Sequence, residues 1–252
     1  MDYILVSALG LVVGGIVNAL ADSLPVQRQI NAPSCRTCGA PRPLRAWLGV
    51  AGLLTRARSC PYCGTLRGLR APALEIVALL GTLWIYVNQP SLDRFMSSLL
   101  VSAIFLLIAV IDLEHRLILH VVSLPAGAVI GLLGVLSPTP GPLRTLTGGV
   151  VGFIAVLGLF LLGEVFAKAV SRLRGRTLEE VAFGFGDVNL AALIGLAVGW
   201  PGVVAALLVG MLAAGLFSLV YLIIMLARKR YTAFVPIPYG PFLIFGALLV
   251  YF

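Results

Sequence analysis

The hydropathy pattern divides the chain into eight apolar segments that are separated by polar connections. These segments cover approximately 3–21, 73–88, 95–111, 121–137, 146–167, 183–199, 202–227 and 236–252. A helix needs about 20 apolar residues to cross the hydrocarbon core of a bilayer, and each segment has that length or approaches it. The pattern therefore predicts an all-α polytopic membrane protein with about eight transmembrane helices, some of them short or tilted.

The composition supports a membrane protein over a soluble one. Of the 252 residues, 60% are hydrophobic and 11% are charged, whereas soluble domains carry about 25% charged residues. Residues 1–3 lack the basic region of a signal peptide, and residues 22–25 do not form a cleavage site of the A-x-A type. We therefore expect the first apolar segment to remain in the protein, with residues 1–21 as the first transmembrane helix.

The basic residues are distributed unevenly among the connections. Sixteen of the 18 Lys and Arg residues follow the first, third, fifth or seventh segment, and only Arg94 and Arg144 lie elsewhere. The positive-inside rule places the first group in the cytoplasm and both termini outside. The net charge of +8 is then explained by contact with membrane lipid, and no nucleic acid partner is expected.

Residues 22–72 are the one polar stretch of any size, with eight arginines, one acidic residue and all four cysteines. The cysteines form two C-x-x-C pairs that are separated by 21 residues, and a glycine follows each pair. Four thiolates in this pattern predict a closed structural Zn²⁺ site, formed by Cys35, Cys38, Cys60 and Cys63. Disulfides or a redox pair are the alternatives, and a reducing cytoplasm disfavours disulfides. This predicts a small cytoplasmic zinc domain between the first two helices, and a transmembrane domain over 73–252.

Two acidic residues lie beside long apolar segments, where a carboxylate is costly and is rarely without a role. Asp187 follows Gly184 and Gly186 in a G-x-G-D sequence, and Asp112 closes the third segment. Both fall at predicted cytoplasmic helix ends, so we predict that they form an aspartic protease dyad. The glycines are expected to allow close helix approach and unusual backbone angles. The alternative interpretation is that both aspartates cap helices at the membrane interface.

Other polar residues have less specific interpretations. Glu75, just inside the second helix, is a candidate supporting residue, and Asn18 is interpreted as an interhelical hydrogen-bonding group. His115 and His120 are five residues apart, a spacing that does not place two side chains on one helix face, and so they are interpreted as interfacial residues. Two small-residue runs are predicted to pack helices closely, namely 148–152 and 210–215.

Taken together, these motifs resemble those of the type IV prepilin peptidases over nearly the whole chain. The matching residues are Gly14-Gly15-Ile-Val-Asn18, the paired C-x-x-C motifs, Leu74-Glu75, Ile111-Asp112-Leu113, Gly184-Phe-Gly186-Asp187-Val-Asn-Leu and Pro236-Ile-Pro-Tyr-Gly-Pro241. One departure follows Asp112, where the chain has Ile118-Leu119-His120 in place of an Ile-Pro pair followed by Asn or Asp. The segment between the cysteine pairs also diverges from the family.

The resemblance implies an aspartic endopeptidase of the prokaryotic cytoplasmic (inner) membrane whose active site faces the cytoplasm. Its substrates would be type IV prepilins or pseudopilins, cleaved after a glycine, with Asp112 and Asp187 as the catalytic pair. In many members the new N-terminus is then methylated with S-adenosylmethionine, a function that belongs to the N-terminal part, here residues 22–72. In the dyad, one ionised aspartate would take a proton from water while the protonated one polarises the scissile carbonyl.

Three other interpretations remain open from the sequence. The first is a peptidase of the same family without methyltransferase activity. The second is a presenilin-like protease, which shares G-x-G-D but would show a Tyr-Asp pair and a Pro-Ala-Leu motif. The third is a transporter or membrane scaffold with a zinc module, in which the aspartates bind protons or ions. This interpretation predicts that function survives the loss of either aspartate in a cleavage assay.

Overall fold

The computed structural model describes residues 2–28, 34–35, 37–42, 47–54, 59–89, 91–174, 184–228 and 237–252. These residues form nine helices: α1 (Tyr3–Gln27), α2 (Gly49–Leu54), α3 (Arg70–Asn88), α4 (Leu92–His115), α5 (His120–Leu136), α6 (Pro142–Arg174), α7 (Phe185–Val198), α8 (Gly202–Ala227) and α9 (Gly240–Tyr251). The β-structure of the described residues consists of two isolated bridges, Ser34 with Pro41 and Ser59 with Leu66. The predicted all-α class is confirmed.

Eight of these helices correspond to the eight apolar segments, and α2 is an addition within the polar stretch. Five helices, α1, α3, α4, α6 and α8, are long and apolar enough to cross a membrane, whereas α5, α7 and α9 are shorter apolar helices. The protein is therefore multi-pass, and the count of eight spans stays a prediction. Phe183 and Pro236, which begin two of the predicted apolar segments, lie outside the described residues, as do parts of the basic connections.

The chain folds as two compact units, residues 1–107 and 108–252, whose boundary falls within α4. The domain boundaries that the sequence suggests, at residues 21 and 72, stay a prediction. In the first unit, α1 packs against α3 along a stripe of small residues. A Cβ on Gly10 would lie 2.7 Å from Leu79 Cα, and one on Gly14 would lie 2.7 Å from Glu75 Cα. Such short distances require glycine, because a side chain at either position would push the two backbones apart.

The apolar core of the first unit lies beside this helix pair. It consists of Val6, Ile85, Phe95 and Leu99, with Tyr86 packed against it. The ring of Tyr86 meets that of Phe95 edge-on, with 5.6 Å between the centroids, an arrangement that aromatic pairs favour.

In the second unit, the short helix α7 is the central element, since it packs against α5, α6, α8 and α9. Its apolar side chains are buried nearly all round, as expected for a helix without a polar face. The contact with α6 depends on small residues: a Cβ on Gly195 would lie 2.0 Å from the carbonyl oxygen of Gly148, and one on Gly152 would lie 2.3 Å from that of Ala191. The predicted close packing of 148–152 is confirmed. In the second run, Gly210 closely approaches Leu243 of α9, whereas Gly215 faces open space.

Candidate active site and metal centre

Asp187 lies in the first turn of α7, where its carboxylate folds back to cap the helix. Its Oδ2 accepts the backbone N–H of Gly184 at 2.9 Å. A negative charge is favoured here because the first N–H groups of a helix carry a partial positive charge. The local sequence thus both begins the helix and fixes the orientation of the carboxylate.

The two glycines of the G-x-G-D motif have different roles from one another. A Cβ on Gly186 would lie 2.8 Å from Ile118 Cβ, so this glycine allows the connection between α4 and α5 to approach α7. Gly184 has a φ of −86°, which any residue can adopt, and its nearest non-neighbouring atom would be 3.8 Å from a Cβ. The expected close approach therefore holds at Gly186, but the expectation of unusual backbone angles is wrong at both positions, since neither is among the positive-φ glycines.

Asp112 lies one turn before the end of α4 and is 5% exposed. Its Oδ2 accepts the backbone N–H of Gly240 at 3.0 Å, across 128 residues of sequence. Gly240 is the first residue of α9, and a Cβ there would lie 2.5 Å from the same oxygen. The N-terminus of α9 is thus packed directly on Asp112, and only glycine fits at the contact.

Both aspartates belong to the second unit. They are close enough for the charge of Asp187 to act on Asp112. Each is held through Oδ2 by a backbone N–H at a helix N-terminus, of α7 in one case and α9 in the other. Within the described residues, neither Oδ1 atom has a protein hydrogen-bond partner. Each carboxyl group is therefore fixed through one oxygen and has the other oxygen available to exchange a proton. This arrangement suits acid–base chemistry on water and a carbonyl.

His120 contacts the helix of Asp187. It begins α5, whereas His115 ends α4, so the two histidines are not on one helix as the spacing argument assumed. The His120 Nε2 lies 3.2 Å from Asn189 Nδ2, and its ring stacks on Phe185 with 6.1 Å between the centroids. These contacts join the start of α5 to the first turns of α7. Phe185 and Asn189 lie two residues before and two residues after Asp187.

Glu75 lies in the first unit, where it is fully buried in α3 and has its own set of partners. Its Oε1 accepts the N–H of Gly49 at 2.6 Å and the Nδ2 of Asn18 at 3.2 Å, and its Oε2 accepts the N–H of Val50 at 2.9 Å. The Asn18 amide also donates to the carbonyl of Ala71 at 2.9 Å. Glu75 therefore connects α1, α2 and α3, and the interpretation of Asn18 as an interhelical group is confirmed.

The four cysteines come together in two similar turns. The N–H of Cys35 donates to the carbonyl of Ala40 at 2.9 Å, and the N–H of Cys60 donates to that of Thr65 at 3.0 Å. Each turn passes through a glycine in the left-handed region, Gly39 with a φ of 71° and Gly64 with a φ of 70°. A glycine after each C-x-x-C pair is thus required by the backbone, as the sequence suggests.

The thiol groups are spaced as a single metal ion would need. All four Sγ atoms lie within 4.8 Å of one another, with Cys35 and Cys63 3.6 Å apart and Cys38 and Cys60 3.7 Å apart. Sulfur atoms at the corners of a tetrahedron around Zn²⁺ are separated by about 3.8 Å, given Zn–S bonds of about 2.3 Å. The cluster can therefore hold a metal ion.

Local hydrogen bonds already favour the thiolate at two of the four positions. The backbone N–H groups of Cys38 and Thr37 lower the pKa of Cys35 to about 6, and hydrogen bonds from Thr65 lower the pKa of Cys63. The N–H of Ala40 lowers the pKa of Cys38, but the neighbouring thiols of Cys63 and Cys60 outweigh it and raise that pKa to about 12. The proton is thus retained at Cys38 more strongly than at Cys35 or Cys63. A metal cation that bound the four sulfur atoms would displace it.

Comparisons with known proteins find a family model and several curated relatives that match this chain. The model of the type IV leader peptidase family matches residues 99–219, a range that includes both aspartates. A prepilin leader peptidase/N-methyltransferase of Burkholderia pseudomallei is 29% identical over 92% of this chain and 71% of its own length. Proteins of the same name from Pseudomonas putida and Pectobacterium carotovorum are each 26% identical over 95% of this chain, and over 86% and 89% of their own lengths. No solved structure matches the chain.

Sequence reasoning proposes both aspartates and all four cysteines as site residues, but it does not predict the backbone donors. The N–H groups of Gly184 and Gly240 carry no side-chain signal. The Pro-Ile-Pro-Tyr-Gly-Pro run indicates only where α9 begins, because proline is common in the first turn of a helix.

Proposed function

We propose, from the premise that this chain belongs to the type IV leader peptidase family, that it is a membrane aspartic endopeptidase that removes the leader of type IV prepilins or pseudopilins. The observation that carries the proposal is the pairing of Asp112 and Asp187 in one region of the second unit, each fixed by a backbone N–H at a helix N-terminus. A structural pair of helix caps would not need to lie near each other. A peptidase dyad would.

The chemistry follows from two carboxyl groups that share one proton. Like charges at close range disfavour the doubly ionised pair, so one group is ionised and the other protonated. The ionised Oδ1 takes a proton from water, whose oxygen attacks the scissile carbonyl, and the protonated group donates a hydrogen bond to the carbonyl oxygen. Collapse of the tetrahedral intermediate breaks the C–N bond, and the leaving amine takes up a proton from the dyad. The Oδ2 contacts to Gly184 and Gly240 keep both groups oriented throughout.

The proposed orientation places this site at the cytoplasmic face of the bacterial inner membrane. The distribution of Lys and Arg among the connections supports it, since the side that holds sixteen of 18 basic residues is expected to be cytoplasmic. A substrate anchored by its own apolar helix, with a short cytoplasmic leader, could then reach both aspartates from within the bilayer.

We assign Zn²⁺ to the cysteine cluster as a structural ion, held by Cys35, Cys38, Cys60 and Cys63. The sulfur spacing and the closed set of four thiols support this ion over a catalytic one, which would keep an open coordination position. Bound metal would supply folding energy to a stretch whose described residues include few buried apolar side chains. We also propose methylation of the new N-terminus by this unit, with S-adenosylmethionine as the donor, because the relatives carry that activity in their names.

Coexpression with a candidate prepilin, in a host without its own prepilin peptidase, tests the proposal. We expect mass spectrometry to show a pilin shortened at the glycine, and a further mass of one methyl group if the second activity is present. An unprocessed precursor, in the presence of folded and membrane-inserted enzyme and a prepilin from the same genome, would contradict the peptidase assignment.

A further inference from the structure

His120 connects, in sequence and in space, the two helices that carry the aspartates. It begins α5 directly after the four-residue connection 116–119, which follows the end of α4. Asp112, in the last turns of α4, lies eight residues before it. On its other side, the ring of His120 contacts the first turns of α7, the helix of Asp187. No step of the proposed chemistry uses this ring.

The ring of His120 makes two contacts of different kinds with α7. Its Nε2 lies 3.2 Å from Nδ2 of Asn189. An amide nitrogen donates and does not accept, so Nε2 is the acceptor and the neutral ring carries its proton on Nδ1. The face of the ring stacks on Phe185, with 13° between the ring planes. Phe185 also meets the ring of Phe160 in α6 edge-on, with 6.3 Å between the centroids.

Contacts of this kind are needed to relate the turn that holds Asp187 to the other aspartate. The hydrogen bond between Gly184 and Asp187 lies within that turn, so it orients the carboxylate relative to its own helix and to nothing else. From the side of α4, two residues reach the turn. Ile118 lies against Gly186, and His120 contacts the residues before and after. The contact of His120 includes a hydrogen bond, which restricts direction as well as distance.

We propose that His120 is a positioning residue that sets the separation and relative orientation of the two catalytic carboxyl groups, chiefly through its hydrogen bond with Asn189. The inference rests on the proposed peptidase function. Proton transfer needs heavy-atom distances of about 2.6–3.2 Å, and a misplacement of about 1 Å can cost about 10²-fold in rate. Because the ring acts on α7 and not on the substrate, its loss should slow the bound complex and leave substrate affinity nearly unchanged.

Single-turnover cleavage of a purified prepilin, with the enzyme in excess and varied in concentration, separates the maximal rate from the half-saturating concentration. We expect His120→Ala to lower the maximal rate at least about tenfold and to change the half-saturating concentration less than about threefold. His120→Gln keeps an acceptor at a similar distance from the backbone, and it should restore the rate to within about threefold of wild type.

His115→Ala is the matched control. It removes the other histidine of the chain, which ends α4 and whose Nε2 lies 3.9 Å from Oε2 of its neighbour Glu114. This variant should change the maximal rate less than about twofold. The thermal midpoint establishes that each variant is folded. If His120→Ala does not fold, His120→Phe replaces it, because phenylalanine keeps a ring to stack on Phe185 but has no acceptor, and the same tenfold loss is expected.

A double-variant cycle tests whether His120 acts through Asn189. We expect Asn189→Ala to lower the maximal rate at least about tenfold, and the combination with His120→Ala to be no more than about twofold slower than the slower single variant, since both remove one interaction. Losses that multiply in the combination would overturn the inference.

Three other outcomes would overturn this inference and leave the proposed function standing. They are cleavage by His120→Ala within about threefold of wild type, no recovery of the rate by His120→Gln, and a half-saturating concentration that rises as much as the rate falls. Absence of cleavage by the wild-type enzyme would instead overturn the proposed function, and this inference with it.

Discussion

Replacing Gly240 by alanine tests whether the N-terminus of α9 positions the catalytic pair. The new Cβ would lie 2.5 Å from Oδ2 and 3.1 Å from Cγ of Asp112. Carbon and oxygen atoms that are not bonded stay about 3.3 Å apart or more, so the carboxylate or the helix must move by about 0.8 Å. A misplacement of this size typically costs about 10²-fold in rate, equivalent to ~2.7 kcal/mol of transition-state stabilisation.

The assay is single-turnover cleavage of a purified prepilin in detergent micelles or nanodiscs, with product followed by mass spectrometry. Gly215→Ala is the matched control, because it lies in a helix of the same unit and its Cβ would meet open space. We expect Gly215→Ala to cleave at the wild-type rate and Gly240→Ala to cleave about 10²-fold more slowly with a similar thermal midpoint. A Gly240→Ala enzyme that cleaves within about threefold of wild type would refute a positioning role for this contact.

Three further outcomes follow from the first unit. Protein purified without added metal should contain about one zinc per chain, measured by plasma emission spectrometry, and sub-stoichiometric metal or disulfides in protein from a reducing cytoplasm would contradict the assignment to Cys35, Cys38, Cys60 and Cys63. Cys60→Ser with Cys63→Ser should release the metal and reduce methylated product more than cleaved product, because the dyad lies on other elements; an equal fall in both would disprove the separation. Glu75→Ala should lower the free energy of unfolding by about 3 kcal/mol or more, since it leaves two buried N–H donors and one half-buried N–H donor without their acceptor. A chemical denaturation midpoint equal to that of wild type would contradict this.

The features that sequence predicts well here are those whose signal is local. A C-x-x-C-G turn needs a left-handed residue in the position where glycine stands, and this is true of both Gly39 and Gly64. The apolar segments likewise predict helices, because burial of backbone polar groups in a membrane leaves few other choices. Their ends are less predictable: α4 and α6 continue beyond the predicted apolar segments into the polar connections, to His115 and Arg174.

The features that sequence does not predict depend on contacts between distant segments. The hydrogen bond from Gly240 to Asp112 joins positions 128 residues apart, and its donor is a backbone group that every non-proline residue has. The role of Glu75 is similar, because its acidity suggests a site but its partners are the backbone N–H groups of a short helix that hydropathy does not reveal. Even His120, five residues from His115, belongs to a different helix from it, since Arg116 leaves the helical conformation with a φ of 54°.

The central claim is that Asp112 and Asp187 together cleave the substrate, and the Asp→Asn variants test it most directly. Asparagine keeps the size and one oxygen acceptor of each side chain but can neither take nor give the proton that the mechanism needs. Each purified variant, and Asp93→Asn as a control at an exposed acid of α4, is incubated with prepilin at enzyme excess, and the mature N-terminus is measured by mass spectrometry. The account predicts no detectable mature pilin from Asp112→Asn or Asp187→Asn, with normal folding, and full cleavage by Asp93→Asn. Appreciable cleavage by either dyad variant would contradict it.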